Sequence, residues 1–173
     1  MTELGFKKLT VDNWLLPDEV SSMFVSVSSV DGQIRPVKGE DWLRAILQPQ
    51  LNETVPLEVR KLFEVARGAL VYGYFFYPLY TLAGEQLFRV AEAAVTYKCK
   101  AVVAPNSIRN FQQKVDCLVN QGIIPEEDKV HWDGIRGFRN ITSHPKRQSF
   151  LLPGMVIGIL ERITTDINNL FSQ

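Results

Sequence analysis

Histidine and cysteine are almost absent: His131, His144, Cys99 and Cys117 are the only ones in the chain. Neither cysteine sits in a C-x-x-C pair, and no His/Cys cluster has metal-ligand spacing, so no metal centre and no cofactor are expected. The two thiols read as buried groups in a reducing compartment, which points to a cytoplasmic protein. An excess of charge is also missing, with 19 basic and 19 acidic residues. That balance argues against a large non-specific nucleic-acid footprint but leaves room for a small, locally basic site. No apolar run reaches the ~20 residues of a membrane span. The most apolar stretch, Gly68 to Leu82, is short and rich in Tyr and Gly. Met1 to Thr10 is not followed by the apolar segment of a signal peptide. The two N-x-T sequons, at Asn52 and Asn140, then read as chance matches. Repeats and low-complexity segments are lacking too.

What is present is a strong helical period over most of the chain. Residues 1–54 read as a less regular N-terminal extension. Val25 to Val30 alternates like a short strand, Asp31-Gly32 is a turn signal, and Pro36 and Gly39 break any long element. A short helix is expected from Asp41 to Leu47, with Trp42, Leu43 and Ile46 facing inward. Residues 55–173 read as a helical domain. Pro56 suits the first turn of a helix whose apolar face is Leu62, Val65, Ala66, Ala69 and Leu70. An aromatic knot follows from Tyr72 to Tyr80. It could be a base-stacking platform, but packing of a corner between two helices is the better reading. Pro78 opens a second helix, carried by Leu79, Leu82, Leu87, Val90, Ala91, Ala94 and Val95 to about Lys100. Asn106 is the expected N-cap of a third, stopped at Gly122. Pro125 with Glu126, Glu127 and Asp128 starts a fourth, with Val130, Trp132, Ile135, Phe138 and Ile141 apolar. Pro153 opens a fifth, striped by Val156, Leu160, Ile163, Ile167 and Leu170. The fold class is mainly α, a bundle of four to five helices.

Two histidines leave few acid–base candidates near neutral pH. His131, early in the fourth helix beside Trp132, suits a surface or packing role. His144 has more suggestive neighbours. Arg136, Asn140 and His144 are four apart and form one polar stripe if the helix persists, with Arg139 and Ser143 one step around. Pro145 biases His144 away from the α region, so the helix should end there. On spacing alone, a solvated helix end whose His and Arg meet the last carbonyls is at least as good a reading as a site.

The string Arg139-Asn140-Ile141-Thr142-Ser143-His144 also resembles the Arg-Asn-x-x-x-His signature of HEPN domains. Phe111 to Ile124 and Trp132 to His144 resemble the third and fourth helices of that family. Tyr77 to Lys98 resembles the helix that carries its acidic and basic positions, here Glu85 and Arg89. The likeness covers roughly residues 55 to 173. It implies a homodimer with two facing motifs, and for many members a metal-independent endoribonuclease. It would assign His144 to proton transfer, Arg139 to the phosphate and Asn140 to positioning. Arg136, Ser143, Lys146, Glu85 and Arg89 would bind substrate. The chemistry is coherent. RNA supplies its own 2′-hydroxyl as nucleophile, so the protein needs a proton-transfer group and a fixed cation on the charge developing at phosphorus. One departure is Lys146, where some nuclease members carry a tyrosine two residues after the histidine.

Three expectations follow, in order. The first is a HEPN ribonuclease with RNA as substrate, in a defence or toxin-like setting and under a possible protein regulator. The second is a non-catalytic HEPN module for dimerisation or for binding RNA, a nucleotide or a protein. The third is a structural helical protein whose first 55 residues choose its partner.

Overall fold

The computed structural model describes residues 5–27, 31–102, 110–142 and 151–172, without the side chains of 138–142. The protein is mainly α-helical. Its helices are α1 (Glu19–Ser22), α2 (Gly39–Leu47), α3 (Leu57–Gly73), α4 (Leu79–Val102), α5 (Phe111–Asn120), α6 (Lys129–Thr142) and α7 (Pro153–Leu170). Strands β1 (Val25–Val27) and β2 (Ile34–Pro36) form an antiparallel pair with Val27 opposite Ile34. No helix among the described residues is long and apolar enough to cross a membrane.

Helix α4 is the centre. Its buried residues include Tyr80, Ala83, Leu87, Ala91, Ala94 and Val95 along one stripe, and Phe88 and Val90 beside it. That is too much apolar surface for one partner, and α3, α5, α6 and α7 all pack on it. The α3–α4 pairing is the most extensive. Helix α7 presents the expected stripe of Val156, Leu160, Ile163, Ile167 and Leu170, all buried. Helix α5 is capped by Asn110, whose side chain accepts from the Gln113 N–H while Gln113 reaches back to the Asn110 N–H. Asn106, the expected cap, lies outside the described residues. The stop after α5 is as expected: Gly122 takes φ +69°, and the Ile123 N–H returns to the Leu118 carbonyl. Pro125 starts a single 3-10 turn, Glu126–Asp128, which runs directly into α6.

Several inward positions differ from expectation. Helix α3 buries Val59, Phe63, Ala66 and Leu70, whereas Val65 is exposed. Two adjacent apolar rows compete on this helix, and the row with the larger Phe63 wins the core. Leu43, Leu82 and Val130 are likewise exposed, each at the edge of a stripe already filled by larger or better-placed neighbours. Strand β2 and helix α1 have no sequence counterpart above. Pro36 closes β2 rather than preventing it, which an outer strand allows.

Helix α2 and Phe24 dock on the α3–α4 corner. Trp42 and Ile46 of α2 are buried, and the Trp42 indole N–H donates to the Leu70 carbonyl at 3.4 Å. Trp42 and Tyr80 meet edge to face, as do Tyr77 and Tyr80, and Phe24 stacks on Tyr77. The aromatic residues therefore pack the corner, though Tyr72 stays exposed. Burial pushes the Tyr77 and Tyr80 hydroxyls up from their ordinary range, and the charge of Asp18 adds to it. At the far end of the α2–α3 connection, Asn168 of α7 accepts from the Asn52 N–H and donates to the Gln50 carbonyl.

This corner requires a glycine. A Cβ on Gly73 would lie 2.5 Å from the Tyr80 ring, whereas one on Gly68 would meet nothing within 4 Å. Gly73→Ala should therefore destabilise the fold by roughly 1–3 kcal/mol through overpacking. Gly68→Ala, in the same helix, should stabilise it by up to about 1 kcal/mol. Urea unfolding of the two variants checks the contrast. A stable Gly73→Ala protein would show that the ring moves freely.

Candidate functional site

Helix α6 carries the first half of the Arg-Asn-x-x-x-His string. Arg139 and Asn140 lie in its last turn, and the helix ends at Thr142. Arg136, one turn before Asn140, is exposed. It borders a small crevice with Phe88 and Glu92 of α4, Phe111 of α5 and Ile135. Its neighbours on α5 and α6 are tied by charge, because Lys129 pairs with Asp116 at 2.8 Å. The Asp116 carboxyl lies below its usual range, first through that hydrogen bond and also through the Arg136 charge. Ser143, His144 and Lys146 lie outside the described residues.

The opposite wall is α4. Glu85 is half-buried and Arg89 exposed, one turn apart. The chain reaches this stretch twice. Before the motif, Ile135 and Arg136 meet α4 at Phe88 and Glu92. After it, the Leu151 N–H donates to the Thr81 hydroxyl at 3.1 Å. There is no room for a side chain on Gly84 either, since a Cβ would lie 2.7 Å from Leu151 Cδ1. Glu85 and Arg89 thus sit on the segment of α4 bracketed by the two flanks of the motif. Among the described residues, α6 meets α4 through Ile135 and Arg136 against Phe88 and Glu92.

His131 belongs elsewhere. It lies eight residues before Arg139 on the same helix, about 12 Å away along the axis. It meets two elements. Its Nδ1 is 3.3 Å from Asp128 Oδ1 in the 3-10 turn. Its Nε2 is 2.6 Å from Arg162 Nη2 on α7. Arg162 Nη2 also lies against His131 Nδ1, and because a guanidinium only donates, the unprotonated ring nitrogen is the one that accepts from it. Arg162 also pairs with Asp166, its Nε 3.2 Å from Oδ1. Asp166 is buried, and its burial raises the carboxyl above the ordinary range against the pull of Arg162 and His131. The cluster clamps the start of α6 to α7, beside a cavity of about 240 Å³ lined in part by Trp132 and Asn169. The sequence shows its two halves, Asp128-x-x-His131 and Arg162-x-x-x-Asp166, each on one helical face. That the two faces meet is a tertiary fact. Among the described residues no group of His, Cys, Asp and Glu could hold a metal ion.

Cys99 is buried, and burial pushes its thiol up to about 11, so it is not an activated nucleophile. Cys117 is half-buried and also free.

No protein-family model matches the chain, and neither the curated proteins nor the solved structures include a match to it.

The clamp has a pH signature. Because the folded state raises the Asp166 carboxyl, ionising that group costs stability. The contribution is fully present below the unfolded value of 3.8 and is lost as pH rises through the higher folded value. Asp166→Asn cannot ionise. Its stability relative to the parent should therefore improve as the medium goes from about pH 3 to about pH 6. Urea midpoints of both proteins across that range test this, and a difference that moves the other way would refute the burial argument.

Proposed function

We propose that this chain is a metal-independent endoribonuclease of the HEPN type, working as a homodimer with RNA as substrate. The observation that carries the reading is the Arg139-Asn140-x-x-x-His144 string at the C-terminal end of α6, the helix before the last in a mainly α-helical chain. Support comes from Arg136, exposed one turn earlier, and from Glu85 and Arg89 on the bracketed segment of α4. A cytoplasmic location and a defence or toxin-like role under a protein regulator belong to the same proposal.

The proposed chemistry uses the 2′-hydroxyl of one nucleotide as nucleophile on the adjacent phosphorus. The new O–P bond closes a 2′,3′-cyclic phosphate as the bond to the 5′-oxygen breaks. His144 takes the hydroxyl proton or supplies one to the departing 5′-oxygen. Arg139 holds two phosphate oxygens through its planar fork and stabilises the charge that develops on them. Asn140 positions the phosphate, with Arg136, Ser143 and Lys146 along the RNA backbone. In a dimer two such sets would converge, giving local positive charge in a chain with none overall. A second reading, a non-catalytic HEPN binding module, draws on Lys146, which stands where some nuclease members have tyrosine.

The purified protein should cleave a mixed RNA pool in EDTA and leave 2′,3′-cyclic phosphate ends. His144→Ala should lower the rate by about 10²–10⁴-fold, the usual contribution of a positioned proton-transfer group, without loss of helicity or of the dimer. Equal cleavage by parent and variant would remove His144 from the site. RNA binding without cleavage by either would favour the binding module.

A further inference from the structure

A groove on the outer side of α3 is more cationic than the chain's overall neutrality leads one to expect. It has a volume of about 410 Å³, and its lining includes Arg60, Lys61, Phe63, Glu64 and Arg67 of α3 and Leu51 of the α2–α3 connection. No residue of α4 to α7 contributes, so it is distinct from the face that carries the Arg-Asn-x-x-x-His string.

Arg67 is the unusual member. It is only 7% exposed, a rare condition for arginine unless every donor is matched. Its Nη1 donates to Glu64 at 2.6 Å and its Nη2 to the Leu47 carbonyl at 3.0 Å. Its Nε is buried with no hydrogen-bond partner. The guanidinium also lies 5.5 Å from the centre of the Phe63 ring. Glu64, the one carboxylate in the lining, is 63% exposed and so is weakly held by solvent-screened charge. Among the described residues Arg60 spends only its Nε, on the Val55 carbonyl at 3.1 Å. Lys61 pairs with Glu58 outside the lining, where both are about 60% exposed and the pair is cheap to break. Three cations therefore face one loosely placed carboxylate, beside apolar surface from the exposed Leu57 and from Leu51.

We propose that this groove binds a small ligand consisting of an oxyanion, phosphate or carboxylate, on an apolar body. The oxyanion displaces Glu64 from Arg67 and takes charge-assisted hydrogen bonds from Arg67, Arg60 and Lys61. The apolar body lies along Leu57 and Leu51. Glu64 thereby acts as a stand-in that keeps the buried guanidinium neutralised when the groove is empty.

The test uses the full chain, labelled with nitrogen-15, and three probes at matched ionic strength: phenyl phosphate, benzoate and inorganic phosphate. Phenyl phosphate and benzoate should each shift the Arg67 Nε–H resonance and bind more tightly than inorganic phosphate, which lacks the apolar body. Comparison of the first two tells which oxyanion is preferred. The double variant Arg60→Gln with Lys61→Gln replaces exposed or half-buried side chains and should keep the parent melting temperature. It should weaken the preferred probe by about tenfold or more, the loss expected for charge-assisted hydrogen bonds. Glu64→Gln should tighten it, because the internal competitor is gone. The proposal fails if no probe moves the Arg67 Nε–H resonance, or if the double variant binds as well as the parent.

Discussion

Helix α4 must be covered on several sides at once, and the rest of the architecture answers that demand. Its 24 residues carry apolar or small side chains on the α3-facing stripe and again at Phe88 and Val90. No single helix can bury such a surface, so the neighbours arrange themselves around it. Small residues set how close they come. Gly73 of α3 lets the Tyr80 ring in, and Gly84 of α4 lets Leu151 in. The face of α4 left for polar groups is narrow, and Glu85 and Arg89 fall on it.

A second dependency runs through Asp18. This carboxylate is fully buried, yet it accepts from the backbone N–H groups of Lys7, Val20 and Tyr77, and its own N–H donates to the Tyr74 carbonyl. Three segments distant in sequence thus converge on one anion: the N-terminal turn, the cap of α1, and the corner after α3. A buried charge is tolerable only when its hydrogen bonds are complete, and here backbone amides complete them in the manner of a helix cap. The same corner holds the tyrosines and Trp42, so the N-terminal 50 residues share a core with the helices that follow.

Legibility in the sequence tracked how many faces each element buries. The inward stripe of helix α7 was legible because its apolar residues fall on one row, opened by a proline. On helix α3, Ala66 and Leu70 face inward as expected but Val65 does not, because Leu62, Val65 and Phe63 offer two rows and tertiary packing selects between them. The three-residue strands are too short to show a period, and Pro36 argues against one of them. At the candidate site, Arg136, Glu85 and Arg89 were legible as positions on helices. The side chains of Arg139 and Asn140 and all of Ser143, His144 and Lys146 lie outside the described residues, so their roles rest on the sequence string alone. The clamp of Asp128, His131, Arg162 and Asp166 was half legible, since local spacing reveals each pair but not their meeting.

The way charge is distributed reconciles a neutral chain with the phosphate chemistry proposed for it. Net charge sets long-range steering, but a site acts through the cations that the protein's own carboxylates leave available. In this fold Lys129 is held by Asp116, and Arg162 by Asp128 and Asp166. Those pairs join elements to one another, and their charge is spent locally. Arg89 and Arg136 form no ion pair with the described residues and face solvent. Among the described residues, Lys129 and Arg162 are thus matched where helices are fastened together, whereas Arg89 and Arg136 are not ion-paired. An anion approaching Arg89 and Arg136 meets guanidinium groups that no described carboxylate pairs, and charge elsewhere in the molecule neither supplies nor cancels that attraction beyond a screening length of about 8–10 Å.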